Sequence, residues 1–243
     1  MKVISDICYC NNGSERNKLD LYLPDAEEFP VYVHFHGGGI ESGDKAGHKE
    51  LGEFLTEKGI AYVAVNYRMY PSAVYPDFLR DAAAAVAWTF GHISEYGKCN
   101  KIYVGGNSAG GYMSMMLCFD KKYLAPYKIN PMDIAGFVFD GPQPTTHFNV
   151  LRERGIDSRR AIIDEAAPLY YFGLAEEYPP MTYIVADNDM AARLEQIQLC
   201  LATLKHFGYD ESKYDLQIFE GTHGRYKTTH HAEIAYKFIE KYK

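Results

Sequence analysis

A serine between glycines is the sequence feature best suited to chemistry. The segment Gly106-Asn107-Ser108-Ala109-Gly110 follows the β-type run KIYVGG and opens the helix-type run AGGYMSMMLCF. A sharp turn from a strand into a helix exposes a serine hydroxyl, and the flanking glycines remove side chains that would collide there. The helix N-terminus turns free N–H groups toward a developing negative charge. The pattern predicts Ser108 as the nucleophile of an acyl transfer; the structural alternative is an N-capping serine in a glycine-rich turn.

A run of three glycines is the second chemical feature. Residues 37–39 are all glycine and directly follow His36, at the end of the apolar run VYVHFH. Bare backbone has no packing value and costs conformational entropy, so this run suits main-chain N–H groups that bind an oxyanion. We expect the amides of Gly38, Gly39 and Ala109 to form an oxyanion hole. We expect the ring of His36 to brace this glycine loop.

The elements that position these residues are strands alternating with helices. Short β-branched and aromatic runs separated by Ala-rich or amphipathic runs are typical of a mostly parallel sheet with helices on both faces. The predicted central strands are 31–36, 61–66, 101–106, 135–140, 181–186 and 215–220. The predicted helices are 45–58, 77–96, 109–119, 191–207 and 230–242.

The two ends of the sheet and one long connection complete the predicted organisation. Residues 3–9 and 18–23 are expected to form an antiparallel hairpin at the sheet edge, around the turn NNGSER. The segment 141–168 mixes prolines and arginines, and we expect an insertion or small cap over the site, because ligands bind beyond the carboxyl ends of parallel strands. The length of 243 residues favours a single domain spanning 1–243.

These motifs together resemble a known superfamily. HGGG, the run NYR at 66–68, GNSAGG and the run PLY at 168–170 are similar to the hormone-sensitive-lipase-like and related carboxylesterase branch of the α/β-hydrolases. The resemblance extends from about residue 18 to the C-terminus. It implies the α/β-hydrolase fold, with a sheet of about eight strands, and a chain order of serine, acid, histidine.

The resemblance also implies where the acid and the base lie. The run YIVADNDM ends the penultimate large strand, and EGTHGRY follows the last one. His223 is then the general base, and Asp189 is favoured over Asp187 as the acid that holds its tautomer. We expect packing or solvated roles for five of the other histidines. These are His34, His92, His206, His230 and His231, with His36 serving the glycine loop.

Departures from the family pattern bear on the substrate. The chain has Asn107 where an aspartate is common before the nucleophile, and Ile40 where an aromatic residue often follows the glycines. We expect Ile40, Asn107 and Tyr67 to contact the substrate. We expect no long N-terminal cap of the kind that lipase-like members carry, and on that expectation the chain is more similar to compact hydrolases of carbohydrate esters and small carboxylic esters.

Composition limits the partners. The net charge of −7, without a basic stripe, disfavours nucleic acid and anionic membrane surfaces. No apolar run approaches the ~18 residues that a membrane span needs, and no signal peptide is predicted. The five cysteines form no C-x-x-C pair, which disfavours a disulfide framework or zinc site and favours a reducing cytoplasm. A homo-oligomer is compatible with the sequence, which leaves the oligomeric state open.

The expected activity is hydrolysis of short-chain, acetyl-type esters of small molecules through an acyl-enzyme at Ser108, on acetylated carbohydrates or other small esters. This chemistry needs no metal and no organic cofactor. An amidase, formamidase or small peptidase using the same triad is the nearest alternative. A non-catalytic hydrolase-fold binding protein is the alternative from another class, although binding alone does not require all three of Ser108, Asp189 and His223.

Overall fold

A mixed β-sheet forms the centre of the molecule. The computed structural model describes residues 1–227 and 231–243, and within them one sheet has the strand order β1-β2-β4-β3-β5-β6-β7-β8-β9. The strands are β1 (Lys2–Cys8), β2 (Lys18–Leu23), β3 (Glu28–Phe35), β4 (Ala61–Val65), β5 (Lys98–Asn107), β6 (Gly136–Asp140), β7 (Met181–Asn188), β8 (Tyr214–Thr222) and β9 (Arg225–Tyr226).

The pairing of the strands agrees with the expected fold. Strands β3 to β8 pair in parallel, whereas β1 pairs antiparallel with β2 and β2 antiparallel with β4. The mostly parallel sheet and the N-terminal antiparallel hairpin are therefore confirmed. The sheet exceeds the expected eight strands by the two-residue β9, which pairs antiparallel with β8 and is too short to show as a separate sequence pattern.

Helices cover both faces of the sheet, as predicted. Side chains of α2, α3 and α5 pack into one buried cluster with Val31, Val33 and Phe35 of β3. Those of α1 and α6 pack into a second cluster with Tyr32, which alternates to the opposite face. The helices are α1 (Lys49–Glu57), α2 (Asp77–His92), α3 (Ala109–Phe119), α4 (Phe148–Glu153), α5 (Arg193–His206) and α6 (His231–Tyr242).

The predicted helix 109–119 is confirmed at both ends, whereas other boundaries shift. Residues 45–48 form a 3₁₀ turn before α1, and 93–95 form another after α2. Position 230, the first residue of the predicted last helix, lies outside the described residues, and α6 begins at His231. His231 is half-buried and hydrogen-bonded, so a solvated role for it is wrong.

The segment 141–168 lies against the glycine loop. It contains α4, whose Asn149 donates a side-chain hydrogen bond to the carbonyl of Gly39 at 3.0 Å. Arg152 forms an ion pair with Glu41 at 2.6 Å. The segment therefore forms a wall beside residues 37–41.

Two further observations concern the chain as a whole. In the residues that the structure describes, no helix is both long and apolar enough to cross a membrane. All five cysteines are free thiols, and Cys118 and Cys200 lie buried in the core.

Gly110 tests how tightly the nucleophile turn is packed. A Cβ at Gly110 would lie 1.9 Å from the carbonyl oxygen of Phe35, a backbone atom that cannot move aside, whereas a Cβ at Gly91 in α2 would meet nothing. We expect Gly110→Ala to lower the free energy of unfolding by about 3 kcal/mol or more. The helical Gly91→Ala should raise it by about 0.5–1 kcal/mol. Urea denaturation of both variants measures the difference, and equal stabilities would contradict the packing described.

Candidate active site

Ser108 occupies the turn between β5 and α3. Its backbone has φ 55° and ψ −115°, a region that non-glycine residues rarely adopt, and it directly precedes the first residue of α3. Its N–H donates a 2.6 Å hydrogen bond to the carbonyl of Asp140 on the neighbouring strand β6. A Cβ on Gly106 or Gly110 would collide with neighbouring backbone, so both glycines are needed for this turn.

His223 lies at the tip of the short β8–β9 hairpin. Thr222 pairs with Arg225, which leaves His223 and Gly224 as the two turn residues. The imidazole Nε2 lies 2.8 Å from Ser108 Oγ, within hydrogen-bond distance. A Cβ on Gly141 would lie 2.9 Å from the imidazole Cε1, so a side chain at that position would displace the ring.

Asp189 completes a hydrogen-bonded chain. Its Oδ1 lies 2.6 Å from His223 Nδ1, and its side chain is only 1% exposed. Burial opposes ionisation, but the hydrogen bond and charge of His223 and the N–H of Met190 outweigh it and lower the pKa of Asp189. Asp187, the sequence alternative, instead accepts a hydrogen bond from the N–H of Gly221. The structure therefore brings Asp189 rather than Asp187 to the imidazole.

The glycine loop lies beside the serine. Gly38 and Gly39 line one cavity with Ser108 and His223, and both have positive φ angles, 107° and 65°. Across residues 1–227 and 231–243, neither of their N–H groups donates to another backbone carbonyl. Ala109 is the first residue of α3, where a helix leaves its N–H groups unpaired. Gly38 and Gly39 thus line the site, and the oxyanion role of the three amides stays a prediction.

His36 holds the glycine loop from behind. Its Nδ1 lies 2.7 Å from the carbonyl of Gly37, and its ring stacks on Tyr67 with centroids 4.4 Å apart. Arg16 approaches the other ring nitrogen at 3.3 Å. Burial is the main reason why the pKa of His36 falls to about 4, so the ring is neutral at pH 7. This arrangement agrees with the bracing role expected for His36.

Two predicted substrate contacts are corrected by burial. Tyr67 is 0% exposed, because its ring lies under His36 and its hydroxyl donates to the His36 carbonyl at 2.8 Å. Ile40 is also 0% exposed and packs in the core. Both side chains support the loop from within and cannot meet a substrate. Asn107 differs, because it is half-buried and lines the cavity that contains Ser108.

The site is a cleft with two compartments. The first, about 330 Å³, contains Ser108, His223, Phe148 and Met190. The second, about 630 Å³, lies on the α1 and α6 side and shares Asn107, Asp140 and Gly224 with the first. Its other lining residues include His34, His48, Leu51, Phe54, Tyr226 and His231.

Sequence reasoning missed Asp140, Phe148 and Tyr226. Asp140 carried the clearest available signal, because a carboxylate ends the buried strand 136–140 next to the strand of the nucleophile. Phe148 lies within the predicted cap segment. Tyr226 carries no local signal of its role, because its hydrogen bond to Asp140 joins residues that are 86 positions apart.

Solved structures define the class of fold. An esterase B from Lactobacillus rhamnosis superposes with a TM-score of 0.79 at 16% identity, covering 98% of this chain and 85% of that one. A truncated carbohydrate esterase from gut microbiota superposes with a TM-score of 0.81 at 18% identity, covering 99% and 96%. Together with the sheet order, these neighbours show that the chain has the α/β-hydrolase fold.

Sequence comparison gives the family. Residues 19–204 match the BD-FAE family model, so the chain belongs to the BD-FAE family. A probable isoprenylcysteine alpha-carbonyl methylesterase, ICMEL2 of Arabidopsis thaliana, is 36% identical over 112 residues, covering 45% of this chain and 26% of that protein. The probable carboxylic ester hydrolase LipM of Mycobacterium tuberculosis is 38% identical over 117 residues, covering 46% and 27%. The matched segments span about a quarter of the length of these two curated relatives. Their similarity supports the assignment of this chain to the hydrolases.

The neutral state of His36 predicts a pH-dependent stability. An unfolded histidine binds a proton below about pH 6.5, whereas folded His36 does so only near 4. Between these values the unfolded state binds more protons, so the free energy of unfolding falls as pH falls, by up to about 1.4 kcal/mol per pH unit from this residue.

The variant His36→Asn isolates this contribution. Asparagine keeps a donor for the Gly37 carbonyl but does not titrate. We expect the variant to be less stable than wild type at pH 7, with a shallower decline between pH 6.5 and 4, as measured by urea denaturation at each pH. Other buried histidines titrate in both proteins, so the difference between the two slopes is the result, and identical slopes would contradict a neutral His36.

Proposed function

We propose that this chain is a serine carboxylesterase that acts through an acyl-enzyme at Ser108. The observation that carries the proposal is the hydrogen-bonded chain of Ser108, His223 and Asp189 beside two glycine amides in one cleft. The identity of the curated relatives as ester hydrolases and methylesterases supports the reaction class. The neighbouring esterase structures support the same class through their shared fold.

The proposed reaction has two symmetrical halves. His223 accepts the hydroxyl proton of Ser108 as the oxygen attacks the ester carbonyl, and the negative oxygen that forms is bound by the amides of Gly38, Gly39 and Ala109. The imidazolium, stabilised by ionised Asp189, then gives its proton to the leaving alcohol oxygen. Water attacks the acyl-enzyme in the same way, and the serine hydroxyl is regenerated as the acid leaves. These steps use protein groups and water alone.

The two compartments suggest where the acyl and alcohol parts of an ester substrate bind. The smaller one is narrowed by the ring of Phe148, which approaches the position of a Gly39 Cβ to within 2.9 Å, and this suits a short acyl group such as acetyl. The larger one combines imidazole and phenol groups with Leu51 and Phe54, and this suits a hydroxylated alcohol such as a sugar. The carbohydrate esterase among the structural neighbours is consistent with that choice.

We also propose that residues 1–243 act as one catalytic domain, with 141–168 as its cap. The cap contributes Phe148 to the small compartment and contacts the glycine loop through Asn149. This segment is therefore placed to select the acyl group.

The first experiment compares Ser108→Ala with wild type. We expect hydrolysis of p-nitrophenyl acetate by wild type, and a loss of at least about 10⁴-fold in kcat for the variant, because the remaining groups cannot form the acyl-enzyme. A fluorophosphonate should label wild type alone. Activity that survives in Ser108→Ala would overturn the proposal, and turnover of N-formyl or aminoacyl amides in preference to esters would replace it with an amidase.

The assignment of the acid is tested by a matched pair. Asp189→Asn replaces one carboxylate oxygen, which accepts a hydrogen bond from His223 Nδ1, by an amide nitrogen, which can only donate. It also removes the charge that stabilises the imidazolium, so we expect kcat to fall by about 10²- to 10⁴-fold. Asp187→Asn keeps an oxygen acceptor for the Gly221 amide, and we expect less than about threefold loss. Both are measured with p-nitrophenyl acetate, and the reverse ranking would transfer the role to Asp187.

Phe148 tests the acyl specificity. In wild type we expect kcat/KM to fall from p-nitrophenyl acetate to butyrate to octanoate. Phe148→Ala should raise the octanoate-to-acetate ratio by about tenfold, because removing the ring lengthens the small compartment. Met190→Ala, on the exposed rim of the same cavity, is the control and should change the ratio less. A preference of wild type for octanoate would contradict a short-acyl site.

A further inference from the structure

The carboxylate of Asp140 lies at the centre of a hydrogen-bonded cluster beside the triad. It accepts hydrogen bonds from the hydroxyl of Tyr226 through Oδ1 and from Nδ1 of His231 through Oδ2, the latter at 3.1 Å. His231 Nε2 in turn lies 2.8 Å from the hydroxyl of Tyr32. Asp140 is only 5% exposed, and none of these four residues belongs to the triad.

Asp140 is hydrogen-bonded both to the backbone of Ser108 and to the hairpin that carries His223. Its backbone carbonyl accepts the Ser108 N–H at 2.6 Å and so fixes the nucleophile turn. Its carboxylate binds Tyr226, which forms strand β9 with Arg225 and lies three residues beyond His223. One residue is thus tied to the backbone of the serine and to the hairpin that carries the histidine.

The β8–β9 hairpin needs such a tie. It lies at the edge of the sheet, β9 is two residues long, and β8 alternates between half-buried and exposed positions. Two-residue pairing at a sheet edge fixes a hairpin weakly. The β8 side of the hairpin is held by pairing with β7 as far as Thr222, and the Tyr226 hydroxyl anchors the β9 side to a buried strand.

We propose that Asp140 and Tyr226 are positioning residues that set the distance between Ser108 Oγ and His223 Nε2. The inference rests on the proposed esterase function. The Tyr32–His231 arm of the cluster joins β3 to α6 and stabilises the fold, and within the described residues its hydrogen bonds lead to Asp140 rather than to the His223 hairpin. Both the Tyr226 side and the Tyr32–His231 side of the cluster end at Asp140, but only the Tyr226 side leads to the hairpin of His223. Removing the hydroxyl of Tyr226 should therefore affect catalysis, whereas removing that of Tyr32 should affect stability.

Tyr226→Phe and Tyr32→Phe form the matched pair. Tyr226→Phe keeps the ring contact with Phe219, at 5.8 Å between centroids, but removes the anchor. We expect its kcat per titrated active site to fall by about 10- to 100-fold, because small displacements of reacting groups have effects of that size. KM should stay within about threefold. Tyr32→Phe should lower the melting temperature and leave kcat per active site unchanged.

A third variant separates the effect of the Tyr226 hydrogen bond from the effect of the Asp140 charge. Asp140→Asn keeps the backbone carbonyl and an oxygen for Tyr226, and its amide nitrogen can donate to His231 once that ring adopts its other tautomer. We expect its kcat to fall by less than that of Tyr226→Phe, because the amide oxygen still accepts the Tyr226 hydroxyl. A loss as large as that of Tyr226→Phe would overturn the assignment of positioning to this hydrogen bond.

Two measurements make the test decisive. Active-site titration with a fluorophosphonate separates slower chemistry from a smaller folded fraction, and wild-type kcat per titrated site in Tyr226→Phe would overturn the proposal. The low-field proton resonance of the His223–Asp189 hydrogen bond is the second measurement and needs no substrate. It should weaken or shift in Tyr226→Phe and stay unchanged in Tyr32→Phe, and no change in either would overturn the proposal. If wild type hydrolyses no ester, the proposed function fails, and the resonance alone judges the positioning.

Discussion

The backbone of Ser108 is the constraint on which the rest of the site depends. A non-glycine residue at φ 55° and ψ −115° costs about 1–3 kcal/mol, and such a conformation persists only where the surroundings fix it. Here the start of α3 packs so closely on β3 that only glycine fits at position 110. The Ser108 amide is held in addition by strand β6. Close helix-to-strand packing therefore maintains the exposed hydroxyl.

Around this turn one buried acid is ionised, whereas two histidines are neutral. The buried carboxylate of Asp189 keeps a lowered pKa because hydrogen bonds to its charged form outweigh the effect of burial. The histidines around the cleft differ, since burial lowers the pKa of both His36 and His48 to about 4. The structure thus holds an ionised acid beside His223, the neutral ring of His36 behind the glycine loop and the neutral ring of His48 in the larger compartment.

The parts of the fold that were predictable from sequence have local signals. Helix α3 was placed correctly at both ends because a glycine-rich turn precedes it and the helix-type run AGGYMSMMLCF ends at Phe119. The strands were found from runs of apolar residues, because both faces of a parallel sheet are covered. Tyr67 and Ile40 were misjudged since neighbouring residues in the chain do not reveal burial, and both side chains turn inward from a loop next to the cleft. Asp140, Tyr226 and His231 come together only in three dimensions.

The positions of the three triad residues in the sheet also explain why the cluster around Asp140 matters. Ser108 and Asp189 follow the central strands β5 and β7, and Asp140 ends β6 between them, where neighbours on both sides restrict the backbone. His223 follows β8, and among the described residues the two-residue β9 is the edge of the sheet beyond it. The strands that precede the acid and the base pair with each other up to Asn188 and Thr222, and the hydrogen bond between Asp189 and His223 fixes the orientation of the ring. The β9 side of the hairpin is the free edge, and there the Tyr226 hydroxyl on Asp140 provides a contact to the central strands, which helps to hold the His223 ring nitrogen 2.8 Å from the Ser108 hydroxyl.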